Sequence, residues 1–259
     1  MQNSPVHFVG AGPGDAELIT VKGARLLAAA QVVVYAGSLV DRELVRTYAP
    51  QAEVHDSAGM TLEQTTAVLA EAVAGGKSVV RLHTGDPSVY GAIQEQMAAL
   101  DALGIGYRVV PGVTAAFAAA AGLKQELTLP GVSQTVVLTR MEGRTPVPEK
   151  EKLARIAALG ATTCLYLSVA MLEQVVEELL AGGVFTPRTP AAVVAKASWP
   201  DEQIVEGTLA DIAAKVRAAG IERQALILVG EVLRARREGV PETSKLYDSD
   251  FCHGFRLRS

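Results

Sequence analysis

The chain has 259 residues, enough for two compact domains, and a formal charge of −4, which argues against a nucleic-acid partner because such proteins present a basic field. No apolar run reaches the about 18 residues that a membrane-spanning helix requires. The two cysteines, Cys164 and Cys252, make no disulfide framework and share no metal-ligand spacing with the four histidines, so the expectation is a cytoplasmic protein without a metal. The opening Met1-Gln2-Asn3-Ser4-Pro5 lacks the charged start of a secretion signal.

In chain order, residues 6–9 read as a strand that runs into Gly10-Ala11-Gly12-Pro13-Gly14-Asp15. These glycines do not fall as G-x-G-x-x-G, so a standard dinucleotide site is not expected, and the turn reads as a loop that lets some other ligand approach the backbone. Thr20 is placed to cap a helix over 21–30, and 32–35 reads as the second strand. A short helix over 41–48 and a short strand over 53–55 follow. Thr61 and Gln64 then form a capping box for an amphipathic helix through Val73. The next strand, 77–82, leads into His83-Thr84-Gly85-Asp86-Pro87 and a helix over 92–100, and strand 104–110 leads into Pro111-Gly112-Val113-Thr114-Ala115-Ala116. Three glycine-bearing turns thus follow strands in the first half, and in an open α/β sheet such turns line the carboxyl edge, where ligands bind.

At 122–131 an Ala-rich helix gives way to polar sequence, which sets a domain boundary: 1–118, then 119–240, then a tail over 241–259 containing Tyr247, Phe251 and Phe255. The second half carries strands over 135–139, 162–167, 191–195, 203–206 and 225–229 and helices over 170–181 and 209–219. The close pair of strands around Trp199-Pro200-Asp201-Glu202 reads as a hairpin. The fold class expected is therefore two α/β domains, the first with a mostly parallel sheet and the second with a mixed one, and a cleft between them.

The first Gly/Pro turn, the Arg81 to Pro87 stretch centred on Gly-Asp-Pro, the turn from Pro111 to Ala116, and Ala225-Leu226-Ile227-Leu228-Val229-Gly230-Glu231-Val232 together resemble the tetrapyrrole methyltransferase family, in order from about residue 6 to 233. Within it, Tyr35-Ala36-Gly37-Ser38-Leu39-Val40, the stretch from His83 to Gly91, and the stretch from Thr139 to Pro146 are similar to the branch that methylates C-11 of precorrin-4 in cobalamin biosynthesis. Ala36 and Thr84 depart from the Tyr-Asp and Gly-Gly-Asp-Pro of members acting on uroporphyrinogen. A methyltransferase on RNA or protein with this fold, or a nucleotide-binding module without chemistry, are the other readings weighed; the acidic total disfavours the former.

The resemblance implies S-adenosylmethionine as cofactor, leaving as S-adenosylhomocysteine, bound largely through backbone. It carries that role to Pro13, His83, Thr84, Gly85, Asp86, Val89, Thr114 and Ala115 in the first half and to Leu167, Ala195, Ala225 and Leu226 in the second. It also implies a tetrapyrrole substrate rich in carboxylates, for which Arg140 and Arg144 are the first candidates beside Ser38 and Tyr90; Arg42 reads as a solvated surface residue. His83 is a candidate base or simply a packed histidine, and Asp86 is a cofactor-orienting carboxylate. A homodimer is expected, with neither nucleic acid nor membrane as partner. Whether the substrate carries cobalt is not written in any ligand motif.

Overall fold

The structure, a computed structural model, describes residues 5–240 together with Glu242, Ser244 and Lys245. The aromatic residues expected in the tail, Tyr247, Phe251 and Phe255, lie outside the described residues. Two compact units are present. One holds the described residues up to Ala118 with Ser198–Pro200, and the other holds Ala119–Ala197 and those from Asp201 onward.

In the first unit the strands are β1 (Val6–Gly10), β2 (Val32–Tyr35), β3 (Glu53–Asp56), β4 (Val79–His83) and β5 (Tyr107–Val110). They pair in the order β3-β2-β4-β1-β5, every pair parallel. The near-continuous Val-rich strands fit a sheet buried on both faces. On one face, helices α1 (Val21–Ala28) and α2 (Arg42–Tyr48) pack Leu27, Leu44 and Val45 against Val9, Val33, Val80 and Leu82. On the other, α3 (Leu62–Ala74) and α4 (Ile93–Ala102) pack Leu69, Val73 and Leu100 against Val6, Phe8, Val32 and Val34. Local signals start these helices as expected. Thr20 Oγ1 accepts from the Gly23 N–H, and Thr61 and Gln64 form both bonds of the capping box.

The chain leaves β1 toward one face of the sheet and leaves its neighbour β4 toward the other. Adjacent strands whose connections part in this way define the switch point where open α/β sheets take their ligands. The glycine turns after β1 and β4 therefore sit at this switch point on the carboxyl edge.

Helix α5 (Ala115–Leu123) opens in the first unit and ends in the second. The second unit's strands are β6 (Val136–Arg140), β7 (Thr162–Tyr166), β8 (Pro190–Ala195), β9 (Gln203–Thr208) and β10 (Ala225–Val229), in the order β6-β7-β10-β8-β9. Only β6 and β7 run parallel, so the sheet is mixed as expected. Its core packs α6 (Leu153–Ala157), α7 (Leu172–Ala181) and α8 (Ile212–Ala218) on Leu165, Val193, Ile227 and Val229. Helix α6 is too short to show a period in the sequence. β8 and β9 form the hairpin expected, antiparallel up to Ala195 and Gln203, and the tip of their connection, Ser198–Pro200, belongs with the first unit, where Trp199 Nε1 donates to the Pro13 carbonyl at 2.9 Å.

Leu165 is fully buried at the centre of the second unit's core. Leu165→Ala is expected to cost about 2–5 kcal/mol, read as a lowered midpoint in urea unfolding; a loss below about 1 kcal/mol would show that this core does not limit stability.

Candidate functional site

Three turns of the first unit are tied to each other at the carboxyl edge. The Ala11 N–H donates to the His83 carbonyl at 2.7 Å, and Gly12 and Gly85 exchange backbone bonds, 2.7 Å from Gly85 N and 3.3 Å from Gly12 N. This bridge places the loops after β1 and β4 edge to edge. Gly12 and Gly85 hold φ of 82° and 59°, the left-handed region that side chains rarely adopt. A Cβ on Gly10 would stand 2.6 Å from both the Gly112 Cα and the Gly85 carbonyl oxygen, so the third turn is pressed against the first two.

Asp86 fastens that third turn. Its Oδ1 accepts from the Ser88 N–H at 2.8 Å, closing its own loop, and its Oδ2 accepts from the Gly112 N–H at 2.9 Å. One carboxylate therefore spans the turns after β4 and β5, using charge-assisted bonds of the stronger kind. Pro13, Gly85 and Thr114 are buried, Asp86, Val89 and Ala115 half-buried, and Thr84 exposed. Those eight candidates, His83 included, are brought to one edge of the first unit.

His83 is 7% exposed, with its ring 5.8 Å from that of Phe8, and its Nε2 has no hydrogen-bond partner among the described residues. Burial, with the neighbouring Arg81 charge acting in the same sense, lowers its pKa to about 3. The imidazole is thus neutral at pH 7. On either side of Gly91, Tyr90 and Ala92 both sit at positive φ, 56° and 47°, and Tyr90 is exposed. Ser38 is exposed in the turn after β2, where Asp56 Oδ1 accepts from the Gly37 N–H at 2.9 Å.

In the second unit, Leu167 follows β7 at φ 55° and is 69% exposed. A large side chain in that conformation stores strain of the order of 1–3 kcal/mol, of the kind that collects at functional sites. Ala195 and Ala225 face each other in the β8–β10 ladder with Leu226 next in register, so three of the four candidates here lie together. Lys196 and Gln224, just beyond that pair, also hold positive φ, and the Lys196 N–H donates to the Gln224 carbonyl at 2.8 Å.

Arg140 and Arg144 have different roles in one loop. Arg140 spends its guanidinium on the carbonyls of Met141, Thr145 and Pro146, at 3.3, 2.9 and 2.9 Å, and so shapes the loop from within. Arg144 is exposed on it. Sequence reasoning treated them alike because nothing local distinguishes an arginine that folds back on its own loop from one that points away.

The chain is a two-unit α/β protein whose first unit carries a glycine-built carboxyl edge, and residues 5–213 match the family model for tetrapyrrole (corrin/porphyrin) methylases. The chain belongs to that family. It is 54% identical over 254 residues, 98% of this chain and 96% of the relative, to the cobalt-precorrin-4 C(11)-methyltransferase of Methanocaldococcus jannaschii. It is 53% identical over 231 residues, 89% of this chain and 92% of the relative, to the precorrin-4 C(11)-methyltransferase of Mycobacterium tuberculosis. Among solved structures it resembles the cobalt precorrin-4 methyltransferase CbiF, with a TM-score of 0.85 and 50% identity over 88% of this chain and 95% of that one. It also resembles the uroporphyrin-III C-methyltransferase of Thermus thermophilus complexed with S-adenosylhomocysteine, with a TM-score of 0.74 and 32% identity over 90% of this chain and 100% of that one.

The neutral state of His83 ties stability to pH. On unfolding, the ring regains a pKa near 6.5 and takes up a proton in acid, so the stability it contributes is present above about pH 6.5 and is lost as pH falls toward 3. His7, lowered by burial and then by Arg108 and Lys22, acts in the same direction. At about 1.4 kcal/mol per pKa unit and roughly 2–4 °C per kcal/mol, the thermal midpoint should drop several degrees more between pH 7 and 4.5 in the parent than in His83→Gln. Equal drops would show that His83 protonates freely in the fold.

Proposed function

We propose that this chain transfers the methyl group of S-adenosylmethionine to C-11 of precorrin-4, a carboxylate-rich tetrapyrrole of cobalamin biosynthesis, in metal-free or cobalt-bound form. The observation that carries this reading is the tied glycine edge in a chain about half identical, along nearly its whole length, to precorrin-4 C(11)-methyltransferases of both descriptions.

The first unit's edge fits the cofactor. Where Gly10, Gly85 and Gly112 crowd, no Cβ stands between a ligand and the backbone, and the candidates from Pro13 to Ala115 include no Lys or Arg to repel a sulfonium cation. Pro13, Thr84, Gly85, Val89, Thr114 and Ala115 would hold it, chiefly through main-chain atoms. The role carried to Leu167, Ala195, Ala225 and Leu226 rests on the resemblance. When bound, the cofactor supplies a methyl group already activated on sulfur, so the reaction asks for alignment and exclusion of water more than for proton transfer.

The residues divide accordingly. Asp86, with both oxygens committed to backbone N–H groups, positions the turns rather than abstracting a proton. His83, held neutral by burial with a pKa lowered to about 3, is no base at physiological pH. Arg144 meets a substrate carboxylate from the loop that Arg140 shapes, with Ser38 and Tyr90 beside the macrocycle. The protein works as a homodimer in the cytoplasm, a state that light scattering in solution checks directly.

Calorimetry should show S-adenosylhomocysteine binding and no binding of NAD or ATP; no S-adenosylhomocysteine binding would overturn the assignment. Asp86→Ala should weaken that binding at least about tenfold while the protein stays folded, since it removes two backbone clamps at about 1.5–3 kcal/mol each. An unchanged dissociation constant would separate the clamp from the ligand. Arg144→Glu should raise the KM for the tetrapyrrole with little change in kcat, and an unaltered KM would remove Arg144 from the substrate site. Following methylation of metal-free and cobalt-loaded precorrin-4 side by side decides which form is used.

A further inference from the structure

Arg81 has no part in the cofactor edge, yet its surroundings are unusual. It is the third residue of β4, 7% exposed, on the α3/α4 face between Phe8 and Val34. Its Nε donates to Gln96 Oε1 at 2.9 Å and its Nη1 to Ser57 Oγ at 2.9 Å. Both partners are neutral, and each is itself anchored: Gln96 donates to the Ala92 carbonyl and Ser57 to the Tyr35 carbonyl. No Asp or Glu pairs with the guanidinium among the described residues. Asp56, the residue next to Ser57, turns its Oδ1 to the Gly37 and Ala58 N–H groups instead. Burial lowers the Arg81 pKa to about 10, with no acid acting against it.

A buried cation without a counter-charge is costly, of the order of several kcal/mol, and arginine retains its charge nonetheless. The Nη2 group makes no hydrogen bond among the described residues, and it is not among their sealed, unpartnered polar atoms, which are Thr66 Oγ1 and His83 Nε2. The side chain also points a definite way. Val34 pairs with both Arg81 and His55, so Arg81 starts level with His55, yet its head reaches Ser57, two residues on. That is about 6.6 Å toward the carboxyl ends of the strands. His83, two residues after Arg81 on the same strand face, has its Nε2 buried and without a hydrogen-bond partner among the described residues.

We propose that the Nη2 end of Arg81, which makes no hydrogen bond among the described residues and is held in place by Gln96 and Ser57, is a binding point for one carboxylate of the tetrapyrrole substrate. An anion there supplies the missing counter-charge and accepts the unused N–H groups in the planar geometry that a carboxylate matches. Arg81 is thus a specificity-determining residue, selecting a substrate with an acidic side chain at that point of the macrocycle over one whose acid is esterified or lost. The proposal rests on the methyltransferase reading.

The test uses two stable tetrapyrroles, uroporphyrin III as its octacarboxylate and its octamethyl ester, titrated by fluorescence quenching, with S-adenosylhomocysteine calorimetry as a control. Arg81→Lys keeps the charge and the stem but not the fork, and should weaken the octacarboxylate about tenfold while leaving the ester and S-adenosylhomocysteine within twofold. Gln96→Glu puts a carboxylate on Nε and should weaken the octacarboxylate at least about fivefold while raising the thermal midpoint, because it supplies the counter-charge from within. A purely structural Arg81 would gain from Gln96→Glu with no loss of ligand. Octacarboxylate binding within twofold of the parent in Gln96→Glu, or loss of both ligands together in Arg81→Lys, overturns the proposal and leaves the methyltransferase reading intact. Failure of the parent to bind S-adenosylhomocysteine overturns both.

Discussion

The first unit depends on a close approach of three backbone segments that side chains would prevent. Gly10, Gly85 and Gly112 meet where β1, β4 and β5 end, and the contact is tight enough that a methyl group on Gly10 has no room. Dispersion between glycines is weak, so the approach needs another source of cohesion. It comes from the Gly12–Gly85 bridge and from the Asp86 carboxylate, which accepts N–H bonds from its own turn and from Gly112. Such bonds also remove backbone donors that would otherwise be buried without partners. The edge is therefore rigid where it is built and open where a ligand would lie.

That rigidity suits methyl transfer. A reaction limited by alignment and desolvation benefits from main-chain atoms locked in position more than from a titrating side chain. The titratable groups near the edge agree. His83 is held neutral by burial, Asp86 holds one backbone N–H on each oxygen, and Arg81 is a fixed cation behind the edge. Neither His83 nor Arg81 is poised near neutrality to exchange protons. The chemistry lies with the bound molecules, and the protein contributes shape and field.

The arginines show how one residue type divides among three tasks according to its partners. Arg140 satisfies itself on three carbonyls and becomes part of the loop's backbone architecture. Arg144, on the same loop, stays exposed. Arg81 is buried against two neutral acceptors, Gln96 and Ser57, a costly arrangement that a negative charge from a bound molecule would relieve. In a chain with a net negative charge, recognition of a polyacid depends on such local placement and not on the total.

Readable along the chain is what depends on a few neighbouring residues: the valine-rich parallel strands, the Thr20 and Thr61 helix starts, the glycine turns after β1, β4 and β5, and the polar tip that separates β8 from β9. These are legible because a cap, a turn or a strand's face is set within about four residues. The family was legible too, since its motifs lie in those same turns. Only the tertiary structure decided that Asp86 reaches Gly112, 26 residues away. It likewise decided that Arg81 ends on Gln96 and Ser57, that Trp199 packs with Pro13 in the first unit, and that Arg140 turns inward. Those pairings follow from strand order, which sets β4 beside β1 and β1 beside β5, and no local propensity encodes which distant backbone group an oxygen or a guanidinium will meet.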